Sequence, residues 1–150
     1  MRPEGGPKGA RFTEREAFNM KIISHGEQPR EEWRAGVETR MLASACNGAR
    51  QLCIFEQWIA PSMGAPTHSH AVEEVLTVVS GEAEIWVDDK AAVLTCGQTL
   101  IVPAGSKHGF RNAGSGTLHM HAVLASSIFE AAYDDRGLVR RWLPAADDSE

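Results

Sequence analysis

His68-Ser69-His70-Ala71-Val72-Glu73-Glu74 places two histidines and Glu73 in front of the β-compatible run EVLTVVS, which Glu74 opens and Gly81 follows. In an extended strand, residues i and i+2 point to the same face, so His68 and His70 can converge on one ion at about 2.0–2.2 Å per bond. Glu74 follows His70 by four residues, a span of about 13 Å if the strand ran on straight, and could not then share that ion. A bend around residues 71–73 would bring it back. Glu73 is one residue out of phase and is expected to face outward.

A second cluster starts at Gly97, runs through apolar residues to Pro103 and Gly105, and reaches His108 and Asn112. Gly97 permits a tight entry turn and Pro103-Ala104-Gly105 a second one, which puts His108 on a returning strand. A third imidazole thus arrives from a different strand, 38 residues after His70. The plain alternative, satisfied polar residues in a metal-free barrel, is disfavoured because burying such groups without a partner is costly.

Outward from these clusters, the chain from Gly36 is a series of short runs that suit β-strands: VETRMLAS, QLCIFEQWIA, AEIWV, AAVLT, QTLIVP, HGFRN and TLHMHAVLA. Turn-forming PSMGAP, DDK, PAGS and NAGSG separate them, the pattern of a β-sandwich or barrel. EVLTVVS and QTLIVP are apolar on both faces. Such strands need two coverings, one of them a second sheet or another subunit, so a homodimer is expected. Residues 126–133 are the one helix-like stretch, with Ser127 placed to cap and Glu130 three positions on. GLVRRWLP then adds a strand or docked tail anchored by Trp142.

Written as His68-x-His70-x3-Glu74-x6-Gly81 and Gly97-x5-Pro103-x-Gly105-x2-His108-x3-Asn112, the two clusters resemble the paired motifs of the cupin superfamily. One departure concerns a turn: the glycine usual in that family six residues before the first histidine is Ser62 here, with Gly64 nearby. The resemblance implies an all-β double-stranded β-helix, or jelly roll, over residues 36–125. An N-terminal arm (1–35) and a C-terminal helix and tail (126–150) would flank it. It also implies His68, His70, Glu74 and His108 as metal ligands, and a homodimer.

Three neutral imidazoles and one carboxylate suit iron, manganese, nickel, cobalt, copper or zinc, and octahedral geometry would leave about two positions open. With ligand charge −1, a divalent ion leaves the site at +1, which favours an anionic or enolisable substrate. The expected function is a metal-dependent enzyme acting on a small organic molecule, of dioxygenase, isomerase, decarboxylase or lyase type. The second expectation is a non-enzymatic metal- and ligand-binding sensor or sequestration module.

Further candidates are graded by face. His119 and His121 share a face and stand either in the pocket, as acid, base or hydrogen-bond donor to a ligand, or outward toward solvent or a dimer partner. Phe110 shares the face of His108 and is the preferred pocket residue. Trp58 is a weaker candidate, as aromatics in a small barrel mostly fill the core. Arg40 could bind a substrate carboxylate, with a salt bridge as the competing role.

Composition bounds the partners. At 16.3 kDa, with 43% hydrophobic and 23% charged residues and a net charge of −5, the chain reads as one acidic globular domain. Nucleic acid and anionic membrane are disfavoured as partners, and ATP or NAD chemistry has no motif here. The opening MRPEGGPKGAR lacks the apolar core of a signal peptide, so a cytoplasmic location is expected. Three widely spaced cysteines suggest no disulfide framework.

Overall fold

The computed structural model describes residues 20–146. Twelve strands follow in chain order: β1 Arg30–Arg34, β2 Val37–Ala43, β3 Cys53–Ile59, β4 Gly64–Ser69, β5 Glu74–Ser80, β6 Glu82–Val87, β7 Lys90–Thr95, β8 Thr99–Val102, β9 His108–Asn112, β10 Leu118–Leu124, β11 Phe129–Tyr133 and β12 Gly137–Arg141. They form two six-stranded antiparallel sheets, ordered β1-β2-β3-β10-β5-β8 and β12-β11-β4-β9-β6-β7. This is the all-β jelly roll expected from the sequence. The N-terminal arm lies outside the described residues as far as position 19.

Period-two burial makes the strands. In β10, Leu118, Met120, Ala122 and Leu124 are buried while His119, His121 and Val123 face the other way. Val37, Ile59 and Leu118 are register neighbours across three strands and have no exposed surface. Burial of each such side chain contributes about 1.5–3 kcal/mol. The outer faces of β5 and β8 keep Val79 and Ile101 exposed, so the second apolar face is not covered by the described residues.

The helix expected over residues 126–133 is absent, and β11 takes its place. Phe129, Ala131 and Tyr133 repeat every two residues, not every three or four, and all three are buried. β11 pairs with β12 along its whole length and with β4 at Ala132–Ser69 and Tyr133–His68. Tertiary pairing thus outweighs a local capping signal that spans only Ser127 to Glu130. Ser127 does not cap; its carbonyl accepts the Ala45 N–H at 2.7 Å.

Two register shifts aim side chains at the interior. Between Glu32 and Arg34, β1 advances two residues while β2 advances one, so Arg34 falls opposite the inward-facing Val37. Between Ala65 and His68, β4 advances three residues against two on β9, which turns both Ala65 and His68 inward. A bulge re-aims a side chain in this way without breaking the sheet. At the turn before β4, Ser62 holds φ +71°, the left-handed conformation that glycine adopts freely. Gly64 answers a different need, because a Cβ there would run into the Phe110 carbonyl.

Candidate metal centre

His68 lies near the end of β4, His70 just beyond it, Glu74 opens β5 and His108 opens β9. His68 and His108 are register partners in one sheet, whereas Glu74 belongs to the other. The chain bends at residues 71 and 72, and this bend brings Glu74 back to the two histidines. The loop after β8 is tied to the same place, since Gly105 N–H donates to the His70 carbonyl at 2.8 Å.

The four side chains are buried, each at 5% exposure or less, and one ligand atom from each lies within 4.8 Å of the others. His108 Nε2 is 2.9 Å from Glu74 Oε1, and His70 Nε2 is 3.3 Å from Glu74 Oε2. The second approach lacks hydrogen-bond geometry, and His70 Nε2 is a buried nitrogen without a partner. Each Nδ1 faces a backbone carbonyl: Pro66 for His68 at 2.7 Å, Glu130 for His70 at 2.7 Å and Ser106 for His108 at 2.9 Å. Nδ1–H donation to those carbonyls leaves the three Nε2 atoms free to act as ligands, and those of His70 and His108 stand within 3.3 Å of the carboxylate. An orphaned nitrogen beside converging lone pairs is what a divalent transition ion would satisfy.

The electrostatics agree with that donor set. Burial, reinforced by the neighbouring His108, lowers His68 to about 4, so it is neutral at pH 7. Burial alone would raise Glu74, but His108 and His70 beside it hold its carboxyl down to about 2. His70 is raised, because Glu74 outweighs the opposing effect of burial. Cys53, by contrast, is pushed up to about 12, mainly by burial, which leaves it inert as a nucleophile.

The cavity at the cluster is lined by Phe55, Gln57, Phe110, Phe129, Arg34 and Tyr133 as well as three of the four side chains, His68, Glu74 and His108. Its free space is about 20 Å³, room for one ion or one water. Phe110 lines this cavity beside His108. Arg40, Trp58, His119 and His121 are elsewhere, on the outer face of the β2-β3-β10 layer. Arg40 donates to Glu56 at 2.6 Å, Trp58 stacks on His119 with ring centroids 4.9 Å apart, and His119 Nε2 stands 3.7 Å from Glu56. His121 points the same way as His119.

Arg34, Gln57 and Tyr133 escaped the sequence reading. Arg34 sits in what read as an arm and is turned inward by a bulge. Tyr133 sits in what read as a helix. It packs its ring against His68, with centroids 5.0 Å apart. Gln57 was legible as an inward position, two residues after Phe55 in a strand.

A family profile described as "Cupin domain" matches residues 55–124. Protein SchB of Streptomyces halstedii is 29% identical over 104 residues, covering 69% of this chain and 73% of that one. The HTH-type transcriptional regulator SutR of Escherichia coli K12 is 31% identical over 78 residues, covering 49% of this chain and 44% of the regulator, so the match spans less than half of that protein's length. Among solved structures, the polyketide cyclase RemF from Streptomyces resistomycificus aligns with a TM-score of 0.62 at 22% identity, covering 70% of this chain and 78% of RemF.

Proposed function

The chain carries a cupin domain over residues 55–124, and on that premise we propose that it is a metal-dependent enzyme acting on a small organic molecule. The observation that supports this most is the buried set of three imidazoles and one carboxylate, each imidazole fixed through Nδ1 to a backbone carbonyl, with one ligand atom from every member within 4.8 Å of the others. His68, His70, Glu74 and His108 would hold a divalent ion of the iron, manganese, nickel, cobalt, copper or zinc group. When bound, such an ion polarises a substrate oxygen and stabilises the negative charge that develops there. The chain itself keeps the imidazoles neutral or carboxylate-paired, holds their ring orientation, and excludes water with Phe55, Phe110 and Phe129. Reaction types that use this arrangement are those of a dioxygenase, isomerase, decarboxylase or lyase. The RemF structure, named as a polyketide cyclase, supports an enzymatic use of the fold.

The match to a transcriptional regulator supports a second reading, in which the barrel binds a metal and a small ligand without turnover. We also propose a cytoplasmic homodimer, supported by the exposed Val79 and Ile101 on the outer sheet face; among the described residues no helix is long and apolar enough to cross a membrane. Light scattering on a size-exclusion column tests the dimer.

Metal analysis of the purified protein tests the centre. The expected result is close to one ion per chain, lost in His68→Ala and His108→Ala; unchanged metal content in both variants overturns the assignment. Oxygen uptake dependent on an added organic compound then selects the oxidative reaction types, and turnover without oxygen the others. Saturable ligand binding with no turnover selects the sensor.

A further inference from the structure

Arg34 is the one cationic side chain besides the histidines at the wall of the cavity, and part of its donor set is unused. Its Nη1 donates to the Gly64 carbonyl at 2.7 Å, while its Nη2 reaches the Tyr133 hydroxyl only at 3.5 Å. Its Nε is buried without a hydrogen-bond partner. Among the described residues, no carboxylate lies within 4.0 Å of the guanidinium. The residue is half-buried, but a buried Nε–H without an acceptor is costly, and Nε with the weakly engaged Nη2 forms a donor pair that matches a planar carboxylate. Arg141 presents the same pattern nearby: it stacks on Trp33, adjacent in sequence to Arg34, at 4.2 Å, and its Nε is likewise buried and unpartnered.

The placement is specific. Arg34 lines the same cavity as His68, Glu74 and His108, and Tyr133 bridges the two, with its hydroxyl toward Arg34 and its ring against His68. Without the bulge between Glu32 and Arg34, alternation would put this side chain on the outer face with Glu32. The same bulge seats Trp33 against Phe55, Phe129 and Trp142, so one irregularity builds both the aromatic core and the charged part of the cavity wall.

We infer that Arg34, with Tyr133 beside it, is the carboxylate-binding subsite of this centre, so that the ligand is a small organic acid whose carboxylate meets Arg34 while another of its oxygens faces the four-residue cluster. The inference rests on the proposed metal-centre function and narrows its substrate class. The space of about 20 Å³ admits no such acid as it stands. The long Arg34–Tyr133 contact is the part of the wall that yields, because the incoming carboxylate replaces it with charge-assisted hydrogen bonds.

Acetate is the smallest suitable probe, and acetamide is its neutral control. The zinc-loaded full chain, labelled with 15N, is titrated with each while the Arg34 Nε–H resonance is followed, and zinc content is measured on the same sample. The expected result is a saturable shift with acetate and none with acetamide. In Arg34→Lys, which keeps the charge but loses the fork, the Trp33 indole resonance should report acetate binding weakened by about fivefold or more. A zinc-loaded wild type whose Arg34 resonance does not move with acetate, or moves equally with acetamide, overturns the subsite, as does an Arg34→Lys variant of wild-type affinity. A wild type that takes up no zinc overturns the metal-centre reading instead; acetate binding to that zinc-free protein is then read on its own, and its presence or absence decides the Arg34 subsite separately.

Discussion

His108 Nε2 lies 2.9 Å from Glu74 Oε1, and this contact joins the first residue of β9 in one sheet to the first residue of β5 in the other. Both side chains are buried, so removing one partner leaves the other's polarity exposed to a low-dielectric interior. In metal-free protein, His108→Ala is expected to destabilise the fold by about 3 kcal/mol, since an uncompensated buried charge is the costly half of a broken pair. The double variant His108→Ala/Glu74→Gln should recover part of that loss. Urea melts in the presence of a chelator measure both; a single variant as stable as wild type would contradict the coupling.

Acid should unfold the metal-free protein in a defined window. His68 is held at about 4 in the fold against 6.5 ordinarily, so between these values the unfolded chain binds more protons and stability falls as pH drops. Glu74, held at about 2 against 4.5, adds a second loss as pH falls from 4.5 toward 2. His70 is raised and acts oppositely: its contribution is full below 6.5 and is lost as pH rises through its folded value. The difference between wild type and His68→Gln isolates the first effect, expected to reach about 3 kcal/mol by pH 4. Chemical denaturation at half-unit pH steps would show it, and parallel curves would refute it.

Ser62 and Gly64 respond to substitution in opposite directions. Ser62→Gly relieves a left-handed backbone and is expected to stabilise the fold by about 0.5–1 kcal/mol, the strain being offset in part by a freer unfolded chain. Gly64→Ala drives a methyl group into the Phe110 carbonyl and should cost about 2 kcal/mol or more. Thermal melts of the two variants check the pair.

Arg40→Ala provides a control on the outer face. Its partner Glu56 is only 10% exposed, so the variant should lose about 1 kcal/mol of stability, with His119 at 3.7 Å limiting the damage. Zinc affinity, measured by chelator competition, is expected to stay within about twofold of wild type, because Arg40 does not line the cavity. A larger fall would link the two faces.

The four converging side chains were legible because spacing and strand geometry limit where they can go. His68 and His70 share a face by period two, and the paired motifs carry Glu74 and His108 with them. Residues 129–133 were not legible from local signals. Ser127 and Glu130 imitate a capping box, and only the pairing of β11 with β4 and β12 shows that Phe129, Ala131 and Tyr133 follow the strand period. Arg34 was hidden for a related reason: one bulge reverses its face, and a bulge has no reliable signature in a five-residue run such as REEWR. His119 and His121 were correctly placed on one face, but alternation by itself does not say which face looks inward.

The segment shared with the family, residues 55–124, contains all four members of the His/Glu cluster, yet Arg34, Phe129 and Tyr133 come from outside it on either side. β1 at one margin and β11 at the other thus complete the wall of the pocket around a common centre. Centre and wall therefore lie in different parts of the chain: the cluster in the central stretch, and part of the wall in strands on either side of it. Substitutions in those outer strands can thus change what the cavity admits without touching His68, His70, Glu74 or His108.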